Sequence, residues 1–100
     1  MTVYISPNPG KPMAYGISQR AAQILMAHGA KVLMQVNLRE ECNTMGVQFL
    51  PQKECLEKTD VILTIGGDGT ILHEANLSLE YHKPILGINL GNLGFLTSVP

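Results

Sequence analysis

Short apolar runs alternate with helix-like stripes along the chain. Residues 2–6, TVYIS, are mostly β-branched or aromatic, and a turn cluster follows at 7–10. This composition predicts a strand and then a loop. Beyond the loop, apolar side chains recur every three or four residues, at Ile17, Ala21, Ile24 and Leu25. That spacing predicts a helix from Pro12, which suits an early helical position, to His28, just before Gly29.

The middle of the chain continues the alternation. Residues 31–36, KVLMQV, predict a second strand, whereas the polar stretch 37–46 has no clear period and predicts a loop. Residues 52–58 predict one short helix. The following run, 61–65, is apolar except for Thr64, as expected for a strand that is covered on both faces of a sheet.

After a glycine-rich segment the helical spacing returns, with apolar residues at Ile71, Leu72, Ala75 and Leu79. It predicts a helix that begins near Thr70 and ends before Lys83-Pro84, because proline disfavours helix at the preceding residue. Residues 85–89 then predict a strand, and 94–99 a further short element. Strands that alternate with helices predict an α/β fold, a parallel sheet with helices on its faces, in one domain of 100 residues.

Composition narrows the function classes. Apolar residues make up 45% of the chain, charged residues make up 15%, and the net charge is −1. Binders of nucleic acid or membrane surfaces need clustered basic residues, so we expect neither partner. Cys42 and Cys55 lack metal-site spacing and predict buried or unreactive thiols in a reducing compartment. With no signal peptide and no apolar run of membrane length, we expect a cytoplasmic protein.

The segment between the third predicted strand and the next helix reads Gly66-Gly67-Asp68-Gly69-Thr70. Glycines let a backbone approach a phosphate closely, and the first N–H groups of a helix attract anions, so a strand-to-helix turn here would form an anion site. The segment lacks the lysine of a Walker loop, and the third glycine of the dinucleotide fingerprint would fall at Leu72. A β-hairpin turn at Asp-Gly is the alternative.

Asp68 is an unexpected residue in an anion site because its carboxylate repels phosphate. Three roles would explain it: coordinating Mg²⁺ that accompanies the phosphates, accepting a proton from an attacking hydroxyl, or capping the following helix. His73 follows on the same predicted helix. Both a surface histidine and a ligand contact remain open for it.

A second glycine-rich segment, at 87–96, reads GINLGNLGFL. Alone, it predicts a strand that ends in a tight loop, with Phe95 and Leu96 in the core. Both glycine-rich segments follow the carboxyl ends of predicted strands, where ligands bind in parallel sheets. Together they predict the two walls of a nucleotide crevice.

The two segments, GGDGT at 66–70 and GINLGNLGFLT at 87–97, resemble the amino-terminal domain of the NAD kinase family. GGDGT also occurs in diacylglycerol and sphingosine kinases, and phosphofructokinase has a related turn, so the second segment carries most of the specificity. The resemblance spans the chain, weakly before residue 60 and strongly after it. It implies a Rossmann-like parallel sheet with helices on both faces, and a β-rich carboxy-terminal domain that is absent from this chain.

The resemblance also implies roles for individual residues. Asp68 would be the catalytic residue, accepting the proton of the adenosine ribose 2′-hydroxyl of NAD as that oxygen attacks the γ-phosphate of ATP. Asp68 would also contact bound NAD, and the other positions with implied cofactor contacts are Gly67, Gly69, Leu72, His73 and Phe95. Mg²⁺ would bridge the phosphates without a dedicated protein ligand, and some members also accept polyphosphate as the donor.

In the family, the β-rich domain supplies an Asn-Glu or Asn-Asp pair for the NAD ribose and much of the oligomer contact. We therefore expect residues 1–100 to be the amino-terminal α/β domain of a longer, homo-oligomeric enzyme and to be inactive alone. NAD and ATP would be its small-molecule partners. Two alternatives remain open: a lipid kinase that shares GGDGT, and a nucleotide-binding module without catalysis.

Overall fold

The structure is a computed structural model that describes residues 1–90 and 95–99. The described residues form six strands and three α-helices. In order, these are β1 (Thr2–Pro7), α1 (Pro12–Ala27), β2 (Lys31–Gln35), β3 (Gln48–Leu50), α2 (Gln52–Lys58), β4 (Val61–Gly66), α3 (Asp68–Tyr81), β5 (Ile85–Asn89) and β6 (Phe95–Val99). A 3₁₀ turn, Val36–Leu38, follows β2. The predicted elements are therefore all present, with ends that differ by one or two residues.

The strands form one sheet in the order β3-β2-β1-β4-β5-β6. The first five are parallel, as predicted, and their order is that of a doubly wound, Rossmann-like sheet. Strand β6 is the exception, because it pairs antiparallel to β5. Only residues 90–94 separate the two strands, and a parallel pair needs a crossover of about a dozen residues or more.

Strand β3 is the element that the sequence pattern did not predict. It has three residues, Gln48–Leu50, and pairs with β2 at one edge of the sheet. A strand of this length is too short to display an alternation of apolar and polar positions. Its place is set by pairing, because Met34 and Phe49 are partners in the register of the two strands.

The helices cover both faces of the sheet, as predicted. Strand side chains alternate between the faces, so Ile5 and Ile65 pack with Ala14 and Ala22 of α1 on one face. On the other face, buried strand residues pack with residues of α2 and α3. That second cluster includes Tyr4, Leu33, Ile62 and Ile85 from the strands, Cys55 and Leu56 from α2, and Leu77 and Tyr81 from α3.

The connections at β1 and β4 leave a crevice between these two neighbouring strands. Strand β1 leads into α1 on one face of the sheet, whereas β4 leads into α3 on the opposite face. The chain therefore departs in opposite directions from the carboxyl ends of adjacent strands, which is the point where doubly wound sheets bind ligands. Among the residues that the structure describes, no helix has the length and apolar character needed to cross a bilayer.

Both cysteines are free and buried, as the sequence analysis predicted. Cys42 packs in the α1-face cluster and Cys55 in the α2–α3-face cluster. Burial is the largest influence on both thiols and raises the pKa of each to about 11.

We expect both thiols to react slowly with an alkylating reagent in the native protein. With a pKa of about 11, roughly one thiol in a thousand is ionised at pH 8. In denaturant, where the pKa returns to about 8.5, labelling should accelerate strongly. The measurement is the labelling rate of each cysteine by mass spectrometry, and equal rates in native and denatured protein would show that the thiols are accessible.

Candidate functional site

The segment Gly66–Gly69 is a strand-to-helix turn. Strand β4 ends at Gly66 and helix α3 begins at Asp68, so Gly67 alone connects them. The hairpin alternative is wrong, because the residues after the glycines form a helix of 14 residues. The first turn of α3 consequently lies at the carboxyl end of β4, and its free N–H groups carry the partial positive charge that attracts anions.

Gly66 is required by a close approach of the backbone to its neighbours. A Cβ atom at this position would lie 2.8 Å from Cβ of Asn8 and 2.9 Å from Cβ of Thr70. The loop after β1 is fixed against β4 at this point, because the backbone N–H of Asn8 donates to the carbonyl of Ile65 at 2.8 Å. The absence of a side chain at Gly66 thus lets the β1 loop and α3 meet.

Gly67 and Gly69 differ from Gly66 because a Cβ atom at either position would meet no described atom within 4 Å. Neither residue has a positive φ angle, and Gly67 has an ordinary extended φ of −90°. Within the described residues, packing and backbone strain therefore give no reason for glycine at these two positions. They leave the backbone bare on the outer surface of the turn.

Asp68 is the first residue of α3 and is held by a residue of the neighbouring strand. The side-chain amide of Asn89, at the end of β5, donates a hydrogen bond of 2.5 Å from Nδ2 to Oδ1 of Asp68. The helix cap is Gly67, which has no side chain, so Asp68 is not the capping residue. Its negative charge still lies favourably in the first helical turn.

Asn89 is a site residue that the sequence analysis did not single out. It lies within the second glycine-rich segment, which was predicted to form a wall of the crevice. Its side chain points to the α3 face, since Asn89 is 5% exposed and bonds to Asp68. Gly87 assists this contact, because Ile71 of α3 packs onto its bare backbone, 3.1 Å from the place of a Cβ atom.

The crevice between β1 and β4 contains a cavity of about 460 Å³. Most of the residues that line it have polar side chains, and those from α3 are Gly69, Thr70, His73 and Glu74. The carboxyl ends of β1 and β2 and the loops that follow them supply most of the opposite wall, including Ser6, Asn8, Gln35 and Asn37. A second depression of about 370 Å³ is lined by Asp68, Ile71, Leu72 and Asn89.

The predicted site residues therefore divide between two sides of the first turns of α3. Gly69 and His73 line the crevice cavity, whereas Asp68 and Leu72 line the second depression. Leu72 is 69% exposed at this depression, so its side chain is accessible to a ligand. Phe95 belongs to β6, where its backbone is paired with Asn89, but its side chain lies outside the described part of the structure.

Predictions for the loop after β5 also lie outside the described residues. They concern the glycines of 91–94 and the core placement of Leu96.

His73 is exposed and borders the cavity, so the structure brings it to the place where a ligand contact is possible.

Glu74 is a buried acid that the sequence analysis did not consider. The hydroxyl of Ser6, on β1, donates to its Oε1 at 2.7 Å, while Oε2 is buried and has no partner among the described residues. Burial raises the pKa of the Glu74 carboxyl above its usual range, and the Ser6 hydrogen bond and the charge of His73 oppose this rise. Glu74 lies at the end of the second turn of α3, and a buried carboxyl group gives no signal in a periodicity that records only apolar positions.

Comparison with known proteins agrees with this geometry. Residues 3–100 match the family model described as the ATP-NAD kinase N-terminal domain. This chain belongs to the NAD kinase family. Proteins named NAD kinase are similar in sequence: one from Methanothermobacter thermautotrophicus is 42% identical over 92 residues, and one from Methanopyrus kandleri is 37% identical over 89 residues.

The NAD kinase relatives are much longer than this chain. The two archaeal alignments each cover 86% of this chain and 30% of the relative. A crystal structure of yeast NADH kinase complexed with NADH matches with a TM-score of 0.67 and 21% identity, over 89% of this chain and 31% of that chain. At this identity the structural match supports the fold.

Alanine substitutions at Gly66 and Gly67 should show that close packing requires a glycine at the first position and not at the second. Gly66→Ala forces Asn8 and Thr70 apart and should destabilise the protein by about 1–3 kcal/mol, the usual range for overpacking. Gly67→Ala, which meets no described atom and has a permitted φ, should leave stability nearly unchanged. Denaturant unfolding followed by circular dichroism measures both, and equal stability of the two variants would contradict the close approach at Gly66.

Proposed function

We propose that this chain is the amino-terminal domain of a longer NAD kinase that phosphorylates the adenosine ribose 2′-hydroxyl of NAD, with ATP as donor. The observation that carries the proposal is the placement of Asp68. Its carboxylate lies at the start of α3, beside a bare glycine backbone, and Asn89 restrains it. A carboxylate in this position can accept a proton from a hydroxyl while the turn beside it binds phosphate.

The reaction that we propose is a direct phosphoryl transfer. The ribose 2′-oxygen attacks the γ-phosphorus of ATP, the bond from that phosphorus to the β,γ-bridging oxygen breaks, and ADP leaves. Asp68 orients the hydroxyl and takes its proton as the new oxygen–phosphorus bond forms. The proton passes to solvent when the products depart.

The turn itself supplies electrostatic stabilisation. Backbone N–H groups at the start of α3 and the positive end of the helix dipole favour the phosphoryl oxygens. The bare surface at Gly67 and Gly69 would let ribose and phosphate come within hydrogen-bonding distance of the backbone. The crevice cavity, with His73 at its edge, is large and polar enough for the remaining phosphates of a donor.

The residues present fit a divalent cation that arrives with the nucleotide. The described residues contain no cluster of three or more His, Cys, Asp or Glu side chains able to hold a metal. Mg²⁺ is commonly bound by phosphate oxygens, waters and one or two carboxylates, and here Asp68 is the carboxylate nearest the turn. When bound, Mg²⁺ would neutralise charge on the phosphates.

The remaining contacts of NAD would come from Leu72, Phe95 and the rest of a longer chain. Leu72 is exposed beside Asp68, as expected for a side chain that a planar ring would cover. We infer that a β-rich domain completes the NAD site, that the isolated 100 residues are inactive, and that the full-length enzyme is a cytoplasmic homo-oligomer. An activity assay of the isolated domain tests the second of these inferences. Light scattering of the full-length protein tests whether it is an oligomer, and cell fractionation tests whether it is cytoplasmic.

Other functions have less support. A lipid kinase shares GGDGT, but the named relatives described above are NAD kinases. Polyphosphate as the donor is compatible with an anion site built from backbone groups. Turnover assays of the full-length protein with NAD, a diacylglycerol, ATP and polyphosphate discriminate among these possibilities, and phosphorylation of the lipid but not of NAD would overturn the proposal.

Asp68→Asn tests the proton-acceptor role. It keeps the size of the side chain and its acceptor for Asn89, but an amide cannot take up the proton. We expect turnover to fall by about 10²- to 10⁴-fold, the usual contribution of a general base, with NAD affinity largely retained. Steady-state kinetics and calorimetric titration of NAD measure these two quantities in the full-length protein.

Asp60→Asn is the matched control, because Asp60 lies just before β4, at the opposite end from Asp68. Its Oδ2 accepts a hydrogen bond from the backbone N–H of Thr2, and an asparagine oxygen can do the same. Turnover should be retained in this variant. Normal turnover in Asp68→Asn would rule out the catalytic role and favour a module that only binds nucleotide.

A further inference from the structure

Glu74 is a buried acid to which the proposed reaction assigns no role. Its side chain is in the α3 helix, 4% of the residue is exposed, and its Oε1 accepts the hydrogen bond from Ser6. No ion pair joins Glu74 to a lysine or arginine among the described residues. A buried carboxylate without a cation is costly, so the charge state of this group needs an explanation.

Thr64 is a second hydroxyl residue on the sheet, next to Ser6. It is the register partner of Ser6 on the neighbouring strand β4, and both side chains point to the α3 face of the sheet. The Thr64 hydroxyl oxygen and Oε2 of Glu74 are both buried without a hydrogen-bond partner in the described part of the chain. The hydroxyl groups could donate to either form of the carboxyl, but no lysine or arginine among the described residues compensates a buried negative charge, whereas a neutral acid needs no such partner. The neutral form therefore suits this pocket.

The charges of the titratable groups around Glu74 are compatible with a neutral Glu74 carboxyl group. The titratable groups that interact with it are Tyr4 from β1 and His73 from α3 itself, and Cys55 from α2 lies beside Tyr4. Burial raises the pKa of Tyr4 to about 12 and that of Cys55 to about 11, so both are neutral at physiological pH. His73 would favour the ionised form of Glu74, but the histidine is exposed, where water screens its charge.

Glu74 and Asp68 link the same helix, α3, to two different strands of the sheet. The Asp68–Asn89 hydrogen bond joins α3 to β5, and the Glu74–Ser6 hydrogen bond joins α3 to β1. These two strands lie on either side of β4. The start of α3 is therefore fastened to the sheet on both sides of the strand from which it emerges.

We propose that Glu74 is a positioning residue whose carboxyl group, in its neutral form, fastens the first turns of α3 to the carboxyl end of β1 and thereby holds Asp68 and the glycine turn in place. This inference rests on the proposed function for what Asp68 does. The neutral form also matters for the ligand, because Ser6 and Glu74 both line the crevice cavity. A negative charge there would repel the phosphates of a donor.

The variants Glu74→Gln and Glu74→Ala test the proposal in the full-length protein, with Glu80→Gln on the exposed side of the same helix as the matched control. Glutamine keeps an acceptor for Ser6 and is uncharged, so turnover at neutral pH should stay close to that of the unsubstituted protein. Alanine removes the acceptor and should lower kcat by about 10- to 100-fold, more than it changes KM, because Asp68 is misplaced.

The pH profile separates positioning from a merely structural role. As pH rises through the raised pKa of Glu74, ionisation should lower kcat in the unsubstituted protein and in Glu80→Gln. This loss should be absent in Glu74→Gln, whose side chain does not titrate. If Glu74→Gln is as impaired as Glu74→Ala, the ionised carboxylate is the working form and the proposal is wrong. Normal kcat in Glu74→Ala would also overturn it.

If Glu74→Ala does not fold, the variant Ser6→Ala replaces it as the test of the proposal. It removes only the hydroxyl that joins Glu74 to β1, and it should lower kcat with little effect on KM for NAD. Unchanged kcat in Ser6→Ala would contradict the role of this link.

Thermal unfolding across pH tests the charge state without any assay of activity. A carboxyl whose pKa is raised by folding stabilises the native state fully below its unfolded pKa of about 4.3, and this contribution is lost as pH rises through the folded pKa. The fall in Tm over that range should be smaller in Glu74→Gln than in Glu80→Gln. An equal fall would refute a neutral Glu74, whereas absence of NAD phosphorylation with the expected Tm difference would refute the proposed function alone.

Discussion

The change from strand β4 to helix α3 within one residue is the constraint on which the site depends. Because Gly67 alone connects them, the first helical turn must lie directly at the end of the sheet. Gly66 permits this by letting Asn8 and Thr70 approach its backbone to within 3 Å of the place of a side chain. The same geometry brings Asp68 to Asn89 and leaves a cavity on the opposite side of α3, toward β1.

Much of the fold could be predicted because its signals are local. The apolar run of β4 and the helical spacing in α1 are properties of contiguous residues, and both elements occur close to the predicted ends. Strand β3 could not be predicted, since three residues carry no period and its formation depends on pairing with β2. The antiparallel direction of β6 likewise follows from a short connection and not from its own composition.

The candidate site was predictable to a similar degree and for a similar reason. The glycine turn and Asp68 are adjacent in sequence, so their motif could be read directly. The partners of α3 could not be read in this way, because Asn89 is 21 residues from Asp68 and Ser6 is 68 residues from Glu74. Such contacts arise only when the strand order is known, and that order places β1 and β5 on either side of β4.

The hydrogen bond from Asn89 has a thermodynamic consequence for binding. A free aspartate at the surface would sample several rotamers, and a ligand that needed one of them would have to overcome the lost side-chain entropy. Here the amide at the end of β5 selects a rotamer when the domain folds. The entropy of ordering the carboxylate is therefore lost once, during folding, so that more of the interaction energy with each incoming substrate remains for affinity and alignment.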